Sequence, residues 1–274
     1  MSLGFSPCPN DTFIFDALMH AKIDTGGLRF DERLEDVETL NQLALRGVLD
    51  VSKVSYGAAP YLLDTYKLLR SGGALGRGCG PLLVARPGTR LEDLQAGAIA
   101  IPGKLTTANL LLRLFDPSLP PGIERIYSEI MPAVARGEVA AGLIIHESRF
   151  TYPEHGLVRL MDLGEWWETE TGLPIPLGAI MARRDLGDGV IRAVETAIRD
   201  SVAYAFQNPS ASREYVRAHS QEMDEAVCRQ HIDLYVNDFS LDIGDDGERA
   251  VEELLGRAKG AMVSTSGGST DYSS

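Results

Sequence analysis

The chain has 274 residues, of which 44% are hydrophobic and 24% are charged, and these values predict a packed core in one large or two moderate domains. Its 39 acidic residues outnumber 26 basic ones, and the formal net charge of -13 argues against a general binder of nucleic acid or of anionic membranes. A small anionic ligand is not excluded, because it needs only a few local donors.

The cysteines and the apolar runs indicate the compartment. Cys8, Cys79 and Cys228 lie far apart without a CxxC spacing, so we predict neither a disulfide framework nor a zinc site, in a reducing environment. The first residues lack the basic region and long apolar core of a secretory signal, and no apolar run reaches the roughly 18 residues of a membrane span. We therefore expect a cytoplasmic protein.

A short strand at residues 3–5 leads through Ser6-Pro7-Cys8-Pro9-Asn10-Asp11 into an apolar helix pattern. The prolines fix the loop, and Asn10 or Asp11 can cap the helix. Together with the free amides of the helix, Ser6 would form a small site for an anion or a hydroxyl group. A rigid strand-to-helix turn with a buried thiol explains the same residues.

The run from Val48 to Val54 predicts a strand that delivers Lys53, Val54 and Ser55 to its end. Lys53 or Ser55 could hold a ligand there. An exposed lysine and a helix-capping serine are the commoner explanations for these residue types.

The segment 72–80 contains five glycines. It lacks the Gly-Lys-Ser/Thr ending of a P-loop and runs into a strand pattern, so neither a P-loop nor a dinucleotide fingerprint is indicated. We interpret it as a turning connection near a cleft, from which Arg77 could reach an anion.

A strand pattern at residues 98–101, a glycine turn and then Thr106-Thr107 at the start of an apolar helix pattern predict a carboxylate site. Backbone amides, two hydroxyl groups and the positive end of the helix dipole would converge there. Simple capping by threonine accounts for one hydroxyl group and leaves the second free.

A buried strand pattern from Leu143 to Ile145 stops at His146, after which the sequence turns polar. Ligands collect at the carboxyl ends of strands in open α/β sheets, and an imidazole titrates near neutral pH. His146 is therefore a candidate general base. A histidine that only caps the strand fits this position as well.

The remainder of the chain predicts mainly helices and packing residues. Trp166-Trp167 is interpreted as packing, a long amphipathic helix is predicted from Val190 to Phe206, and three further helices follow. His219 and His231 lie among these helices and are interpreted as surface or packing residues. The segment 264–274 is low in apolar residues, which predicts a disordered tail.

Alternating strand and helix patterns up to about residue 180 predict an α/β fold with mixed, mostly parallel sheets. Two stretches predict chain crossings between lobes, at residues 84–88 and 174–178. Residues 1–88 and 176–274 would form one discontinuous lobe, and residues 89–175 would form a second lobe inserted into it. The central cleft between the lobes would be the functional site.

Four motifs, occurring in this order, resemble the 1,4-dihydroxy-6-naphthoate synthase family of menaquinone biosynthesis by the futalosine pathway. They are Ser6 to Phe13, Glu35 to Asn41, Arg70 to Gly78, and Gly142 to Tyr152. The resemblance covers residues 2–258 and leaves out only the serine-rich tail. It implies a two-lobed type II periplasmic-binding-protein-like fold and a carbon-carbon lyase that converts cyclic dehypoxanthinyl futalosine to 1,4-dihydroxy-6-naphthoate, with no metal and no organic cofactor.

The resemblance also implies roles for individual residues. It makes His146 the proton acceptor and places substrate contacts at Lys53-Val54-Ser55 and at Thr106-Thr107. Further candidates for substrate contact are Ser6, Arg77 and Arg149. The expected partner is a small molecule with an aromatic carboxylate, without nucleic acid or membrane, and a homodimer is left open.

Two other functions compete with this one. The best-known members of the implied fold only bind solutes, so a non-catalytic small-carboxylate binding protein is one alternative, although a histidine at the cleft argues against it. The other is the chorismate dehydratase of the same pathway, whose family lacks the combination of the Ser6 to Asp11 and His146 to Tyr152 motifs.

Overall fold

The computed structural model describes residues 1–220 and 224–266, and within them strands and helices alternate along most of the chain. The strands are β1 (Ser2–Phe5), β2 (Asp31–Leu34), β3 (Val51–Ser55), β4 (Tyr66–Leu68), β5 (Ala74–Gly76), β6 (Leu82–Ala85), β7 (Ile99–Ile101), β8 (Ile123–Glu124), β9 (Ala141–Ile144), β10 (Val158–Asp162) and β11 (Ile175–Arg183). The helices are α1 (Pro9–Met19), α2 (Val37–Leu45), α3 (Thr107–Phe115), α4 (Tyr127–Ala135), α5 (Ser148–Thr151), α6 (Leu163–Thr171), α7 (Asp188–Gln207), α8 (Arg213–His219), α9 (Glu225–Tyr235), α10 (Asp238–Leu241) and α11 (Gly244–Ser266).

The strands form two sheets. The first has the order β2-β1-β3-β11-β4, with β5 also paired to β11, and the second has the order β10-β6-β9-β7-β8. Strands β1 and β7 each pair in parallel with both of their neighbours. Every pair made by β6, β10 or β11 is antiparallel. Both sheets are mixed, as predicted, but parallel pairing does not predominate among the described strands.

The chain changes sheet twice. It leaves the first sheet after β5 and returns to it with β11, close to the predicted return at residue 176. The first change falls before residue 82, earlier than the predicted boundary at residue 88, because β6 pairs with β9 and β10 of the second sheet. A four-residue apolar run carries no signal about which sheet it joins, so this boundary could not be located from the pattern alone.

Alternate residues of the strands face different cores, as the twofold repeat of a strand requires. Val51 and Ile180 pack with α1, α7 and α8 on one face of the first sheet, whereas Val54 and Met181 belong to a core that continues to Leu83 in the second sheet. A third core lies between the other face of the second sheet and α4. The shared central core holds the two sheets together beside the cleft.

The C-terminal region differs in part from the prediction. Helix α11 continues to Ser266, so the first three residues of the predicted disordered tail are helical, and residues 267–274 lie outside the described part of the chain. None of the described helices combines the length with the apolar composition that a bilayer crossing needs.

The two tryptophans predicted as packing residues differ in what they contact. Trp167 is fully buried, and its Nε1–H donates to the carbonyl oxygen of Pro174 at 3.0 Å, just before β11. Trp166 is only partly buried and packs edge-on against Phe115, with 5.7 Å between ring centroids. Trp167 therefore ties the middle of α6 to the segment that leads into β11.

We expect Trp167→Phe to lower the free energy of unfolding by about 2–3 kcal/mol, because it leaves a void and an unpaired buried carbonyl group. The matched control, Trp166→Phe, should cost less than about 1 kcal/mol. Urea denaturation of both variants measures the difference. Equal losses would contradict the role given to the Nε1–H bond.

Candidate active site in the cleft between the sheets

A cavity lies between the two sheets where several strands and helices end. It has about 660 Å³ of empty volume, its open mouth included. Most of the predicted site residues line it: Ser6, Lys53, Val54, Ser55, Thr106, Thr107 and His146. Residues that are more than 130 positions apart in sequence are thus brought to one small site.

Two predicted contacts do not lie in this cavity. Arg77 is exposed and donates to the carbonyl oxygen of Gly172 at 2.9 Å, beside Glu168 on the outside of the protein. Arg149 donates to the carbonyl oxygen of Gly80 and to Asp162 Oδ2, each at 2.6 Å. Because both guanidinium groups hold secondary-structure elements together, their predicted substrate contact has no support in the geometry.

His146 follows β9 in a strained backbone conformation. Its φ angle is 56°, and among the described residues other than glycine only Ala21 also has a positive φ. Such a conformation costs of order 1–3 kcal/mol and is found mostly at functional sites. The strain turns the chain sharply at the carboxyl end of β9 and leaves the imidazole partly exposed to the cavity.

The surroundings of His146 favour a neutral imidazole. Burial lowers its pKa from the ordinary value of 6.5, and the nearby Glu147 carboxylate opposes this shift. Its Nδ1 lies 3.3 Å from Cys8 Sγ, and burial together with Glu147 raises the pKa of the Cys8 thiol well above its ordinary value. The pair is therefore a neutral thiol beside a neutral imidazole near pH 7, so Cys8 is not a nucleophile in this environment.

Cys8, His146 and Glu147 also form a group that could hold a metal ion, since one ligand atom from each lies within 4.8 Å of the others. A thiol whose pKa is raised by burial gives up its proton reluctantly, and a metal needs the thiolate. This donor set fits a metal poorly, and the predicted absence of a metal stays a prediction.

A buried ion pair joins the Ser6 to Phe13 motif to the end of β3. Lys53 Nζ lies 2.7 Å from Asp11 Oδ1 and donates to the carbonyl oxygen of Gly72 at 3.1 Å. Asp11 Oδ2 accepts from the hydroxyl group of Ser6 at 2.7 Å and from its backbone N–H at 3.2 Å. Lys53 is thus not an exposed lysine.

Helix α1 begins differently from the prediction. Its N-cap is Cys8, whose side chain makes no capping bond, and Asn10 and Asp11 lie in the first turn. Their side chains point instead into the polar network of the cleft, because Asn10 Nδ2 donates to Asp11 Oδ1 at 2.8 Å. The predicted capping role of Asn10 or Asp11 is therefore wrong.

Helix α3 starts at the cavity, as predicted, but its threonine hydroxyl groups are engaged. Thr106 Oγ1 donates to the carbonyl oxygen of Gly103 and accepts from the N–H of Asn109. Thr107 Oγ1 donates to the carbonyl oxygen of Leu177 in β11 at 2.6 Å. A ligand at this helix start would therefore meet the backbone amides and the positive end of the helix dipole, and not two free hydroxyl groups.

Ser55 ends β3 at the floor of the cavity and is held by Asn41 of α2. The Asn41 amide group accepts from the backbone N–H of Ser55 at 2.8 Å and donates to its Oγ at 3.1 Å. The serine is not a helix cap. Its hydroxyl proton is left available to a ligand.

His231 of α9 is a cavity-lining residue that the sequence did not indicate as functional. Its ring stacks on His146 with 6.1 Å between centroids and an interplanar angle of 17°, and its Nε2 lies 2.9 Å from Asn10 Oδ1. His231 and Tyr235 share a buried face of α9 with i, i+4 spacing. That periodicity indicates burial, but nothing in it shows that α9 reaches the cleft.

The architecture and the site define the class of the protein. The protein has two mixed β-sheets with helices packed on them, a cleft between the sheets, and a chain that passes from one sheet to the other and back. This arrangement is the periplasmic-binding-protein-like fold. The periplasmic aliphatic sulphonate binding protein from Escherichia coli has the same fold, with a TM-score of 0.64 and 12% identity, over 96% of this chain and 87% of that chain.

The family is shown by closer relatives. The model of the menaquinone biosynthesis family matches residues 1–260. The 1,4-dihydroxy-6-naphthoate synthase of Thermus thermophilus is 56% identical over 94% of both chains, and that of Streptomyces coelicolor is 51% identical over 94% of this chain and 92% of its own. The chain belongs to this menaquinone biosynthesis family, as its motifs indicated, and is an enzyme of that pathway.

The contact between Gly57 and α3 supports a testable prediction about the cleft. A Cβ atom at Gly57 would lie 2.6 Å from the carbonyl oxygen of Leu105 and 2.7 Å from that of Thr106. We expect Gly57→Ala to lower the free energy of unfolding by about 1–3 kcal/mol through overpacking. Gly189→Ala is the control, because a Cβ atom there meets nothing within 4 Å; thermal or urea unfolding that ranks the two variants alike would contradict the contact.

Proposed function

We propose that the protein converts cyclic dehypoxanthinyl futalosine to 1,4-dihydroxy-6-naphthoate, with His146 as the general base. The observation that carries the proposal is the position of His146, at the carboxyl end of β9 in strained backbone, facing the cavity with a lowered pKa. The membership of the family and the names of its relatives support the substrate. A small diffusible substrate is consistent with the predicted cytoplasmic location.

The start of α3 is the proposed binding site for the aromatic carboxylate of the substrate. The N–H groups of Thr107 and Ala108 belong to the first helical turn, where they have no partner within the helix. A carboxylate there accepts from these amides and meets the positive end of the helix dipole. Val54 and Leu177 line the same cavity and supply apolar surface for the ring.

The facing lobe supplies polar groups for the sugar-derived part. Lys53 uses two of its three donors, on Asp11 and Gly72, so one N–H remains for a ligand oxygen. The hydroxyl group of Ser55 is a second donor on the same strand end. Binding from both lobes fixes the substrate relative to His146, and such positioning accounts for a large share of enzymatic rate enhancement.

The proposed chemistry is a proton removal followed by bond cleavage. In the tautomer that the proposal requires, His146 Nδ1 carries the hydrogen and donates to the Cys8 sulfur at 3.3 Å, so that Nε2 carries the lone pair that takes a proton from the cyclised sugar part. The released electron pair drives cleavage of the carbon-carbon bond to the sugar-derived fragment, and the new ring becomes aromatic. The imidazolium then returns its proton to the departing fragment. Acid–base help of this kind is worth about 10²- to 10⁴-fold in rate.

The first test is His146→Asn. Asparagine tolerates positive φ better than other residues with a side chain, so this variant keeps the turn after β9 and removes the base. We expect product formation, measured by chromatography of 1,4-dihydroxy-6-naphthoate, to fall by about 10²- to 10⁴-fold, with substrate affinity changed only a few-fold. Turnover close to that of the unaltered protein would overturn the assignment of the base.

The same assay separates the two competing functions. A non-catalytic carboxylate binding protein would bind the substrate saturably and release no naphthoate from either variant. A chorismate dehydratase would instead form 3-enolpyruvylbenzoate when incubated with chorismate. Either result would overturn the proposed reaction.

The lowered pKa of His146 predicts the pH dependence. The base must be neutral to accept a proton, and a pKa below 6.5 keeps it neutral to lower pH than a free imidazole. The acidic limb of kcat/KM should therefore have its midpoint below pH 6.5, so activity at pH 6.5 exceeds half of the plateau. A midpoint above pH 7 in the measured profile would mean that the imidazolium is stabilised, contrary to this expectation.

A further inference from the structure

A hydrogen bond crosses from one sheet region to the other just before α3. The backbone N–H of Leu105 donates to Glu38 Oε2 at 3.1 Å. Glu38 lies in the first turn of α2, which packs against β1 and β3 of the first sheet. Leu105 lies in the turn that follows β7 of the second sheet. The bond therefore joins α2 to the helix start at which the substrate carboxylate is proposed to bind.

Most backbone amides around this turn already have an acceptor. Those of residues 104, 106 and 109 donate to Glu124 Oε1, to the carbonyl oxygen of Gly103 and to Thr106 Oγ1, respectively. The amide of Leu105 is the one that finds its acceptor in the other lobe. Among residues 104–109 of the described chain, the amides of Thr107 and Ala108 are then left for a ligand.

The same carboxyl oxygen is linked to Ser55 through Asn41. Asn41 Nδ2 donates to Glu38 Oε2 at 3.3 Å and to Ser55 Oγ at 3.1 Å, and its Oδ1 accepts from the N–H of Ser55 at 2.8 Å. A turned amide would set its oxygen against the Glu38 oxygen and its NH₂ group against the Ser55 N–H. Because Asn41 is fully buried in this one orientation, it is a rigid link between Glu38 and the end of β3.

We propose that Glu38 is a positioning residue for substrate binding, which holds the two free amides of α3 at a set distance from the end of β3. Thr107 Oγ1 ties the helix side of the turn to Leu177 and Gly57 of the first lobe. One attachment would let the turn pivot about Thr107, and the second attachment, at Leu105, prevents this. Glu38 is not among the residues that line the cavity, so it acts through the turn. The inference rests on the proposed function, because it places the substrate carboxylate at α3.

The turn packs closely on the Glu38 side chain. A Cβ atom at Gly103 would lie 2.4 Å from Glu38 Oε2 and 2.6 Å from both Cδ and Cγ, and a real side chain does not come so near. Glycine therefore allows the backbone of the turn to lie directly against Glu38. A side chain shorter by one methylene group would withdraw its carboxyl oxygens from this contact.

The contact needs an acceptor oxygen at the right distance rather than a charge. Oε2 of Glu38 accepts from Leu105 and Asn41, while Oε1 accepts from the exposed Gln42 side chain at 3.0 Å. In Glu38→Gln the amide oxygen takes the place of Oε2, and Gln42 turns its own amide to accept from the new NH₂ group. Glu38→Gln thus keeps the reach without the charge, whereas Glu38→Asp keeps the charge without the reach.

The experiment measures the binding of two probes to the full chain by isothermal titration calorimetry. The probes are 2-naphthoate, an aromatic carboxylate, and 2-naphthamide, which has the same rings without the charge. Glu38→Ala and Glu38→Asp should weaken 2-naphthoate binding by about tenfold, because the donors are misplaced, and 2-naphthamide binding by less than about threefold, because neutral hydrogen bonds are weaker. Glu38→Gln should bind both probes like the unaltered protein. Glu35→Ala, which removes a carboxylate paired with Arg33 on the surface, is the matched control and should also leave binding unchanged.

Two further readouts distinguish positioning from a general loss of structure. The amide proton of Leu105, observed by nuclear magnetic resonance, should lose the downfield shift caused by its carboxyl acceptor in Glu38→Ala and keep a similar shift in Glu38→Gln. In the product assay, Glu38→Ala should raise KM by about tenfold and leave kcat within about threefold, because the surroundings of His146 are unaltered.

Several outcomes would overturn the proposal. They are unchanged 2-naphthoate binding in Glu38→Ala, equal weakening of the two probes, a Glu38→Gln variant as weak as Glu38→Asp, an unshifted Leu105 amide, and a lower kcat at constant KM. No binding of 2-naphthoate to the unaltered protein would overturn the carboxylate site and the role of Glu38 together. The expected binding pattern without naphthoate formation would support the role of Glu38 and overturn the proposed reaction alone.

Discussion

The buried ion pair between Lys53 and Asp11 is the interaction on which the site depends. It brings the end of β3 to the first turn of α1, and it holds Ser6 and Asn10 through the same carboxylate. Burying two charges carries a desolvation cost that the pair attraction only partly offsets, while removing one partner costs about 3–5 kcal/mol. The pair is therefore better explained by geometry than by stability, because its carboxylate orients Ser6 and Asn10 on that wall of the cleft.

The strained turn at His146 depends on this wall. Cys8, which precedes α1, lies against Nδ1 of His146, and His231 stacks on its ring. These contacts come from opposite ends of the chain, yet both α1 and α9 pack against the first sheet rather than the second. His146 thus belongs to one sheet while its orientation is set by elements of the other, so the relative position of the two sheets fixes where its imidazole lies.

The sequence predicted the parts of the site that lie at the ends of strongly patterned elements. His146 after β9, Thr106-Thr107 at the start of α3 and Lys53-Val54-Ser55 at the end of β3 could be found because apolar strands and capped helices leave clear boundaries. His231 could not be found, since its place depends on how α9 packs and not on any local pattern.

Arginine positions were predicted less well for a related reason. The arginine side chain is long and flexible, so its guanidinium group can reach acceptors in several directions. The residues next to Arg77 and Arg149 in sequence therefore do not determine which acceptors these side chains contact. The Thr107 hydroxyl group gave a similar difficulty, because it donates to the carbonyl oxygen of Leu177, which only the tertiary structure brings close. Thr106 instead donates to the carbonyl oxygen of Gly103, three residues upstream.

The contacts across the cleft explain how a fold known for binding can support catalysis. Thr107 Oγ1 donates to Leu177 and accepts from the N–H of Gly57, and the N–H of Tyr56 donates to the same Leu177 carbonyl oxygen at 3.3 Å. The start of α3 is thereby joined to the first sheet before any ligand arrives. A solute carrier gains from lobes that separate easily, because it must release what it binds. An enzyme gains from donors and a base held at fixed spacing, since reorganising these groups during the reaction would raise the activation barrier.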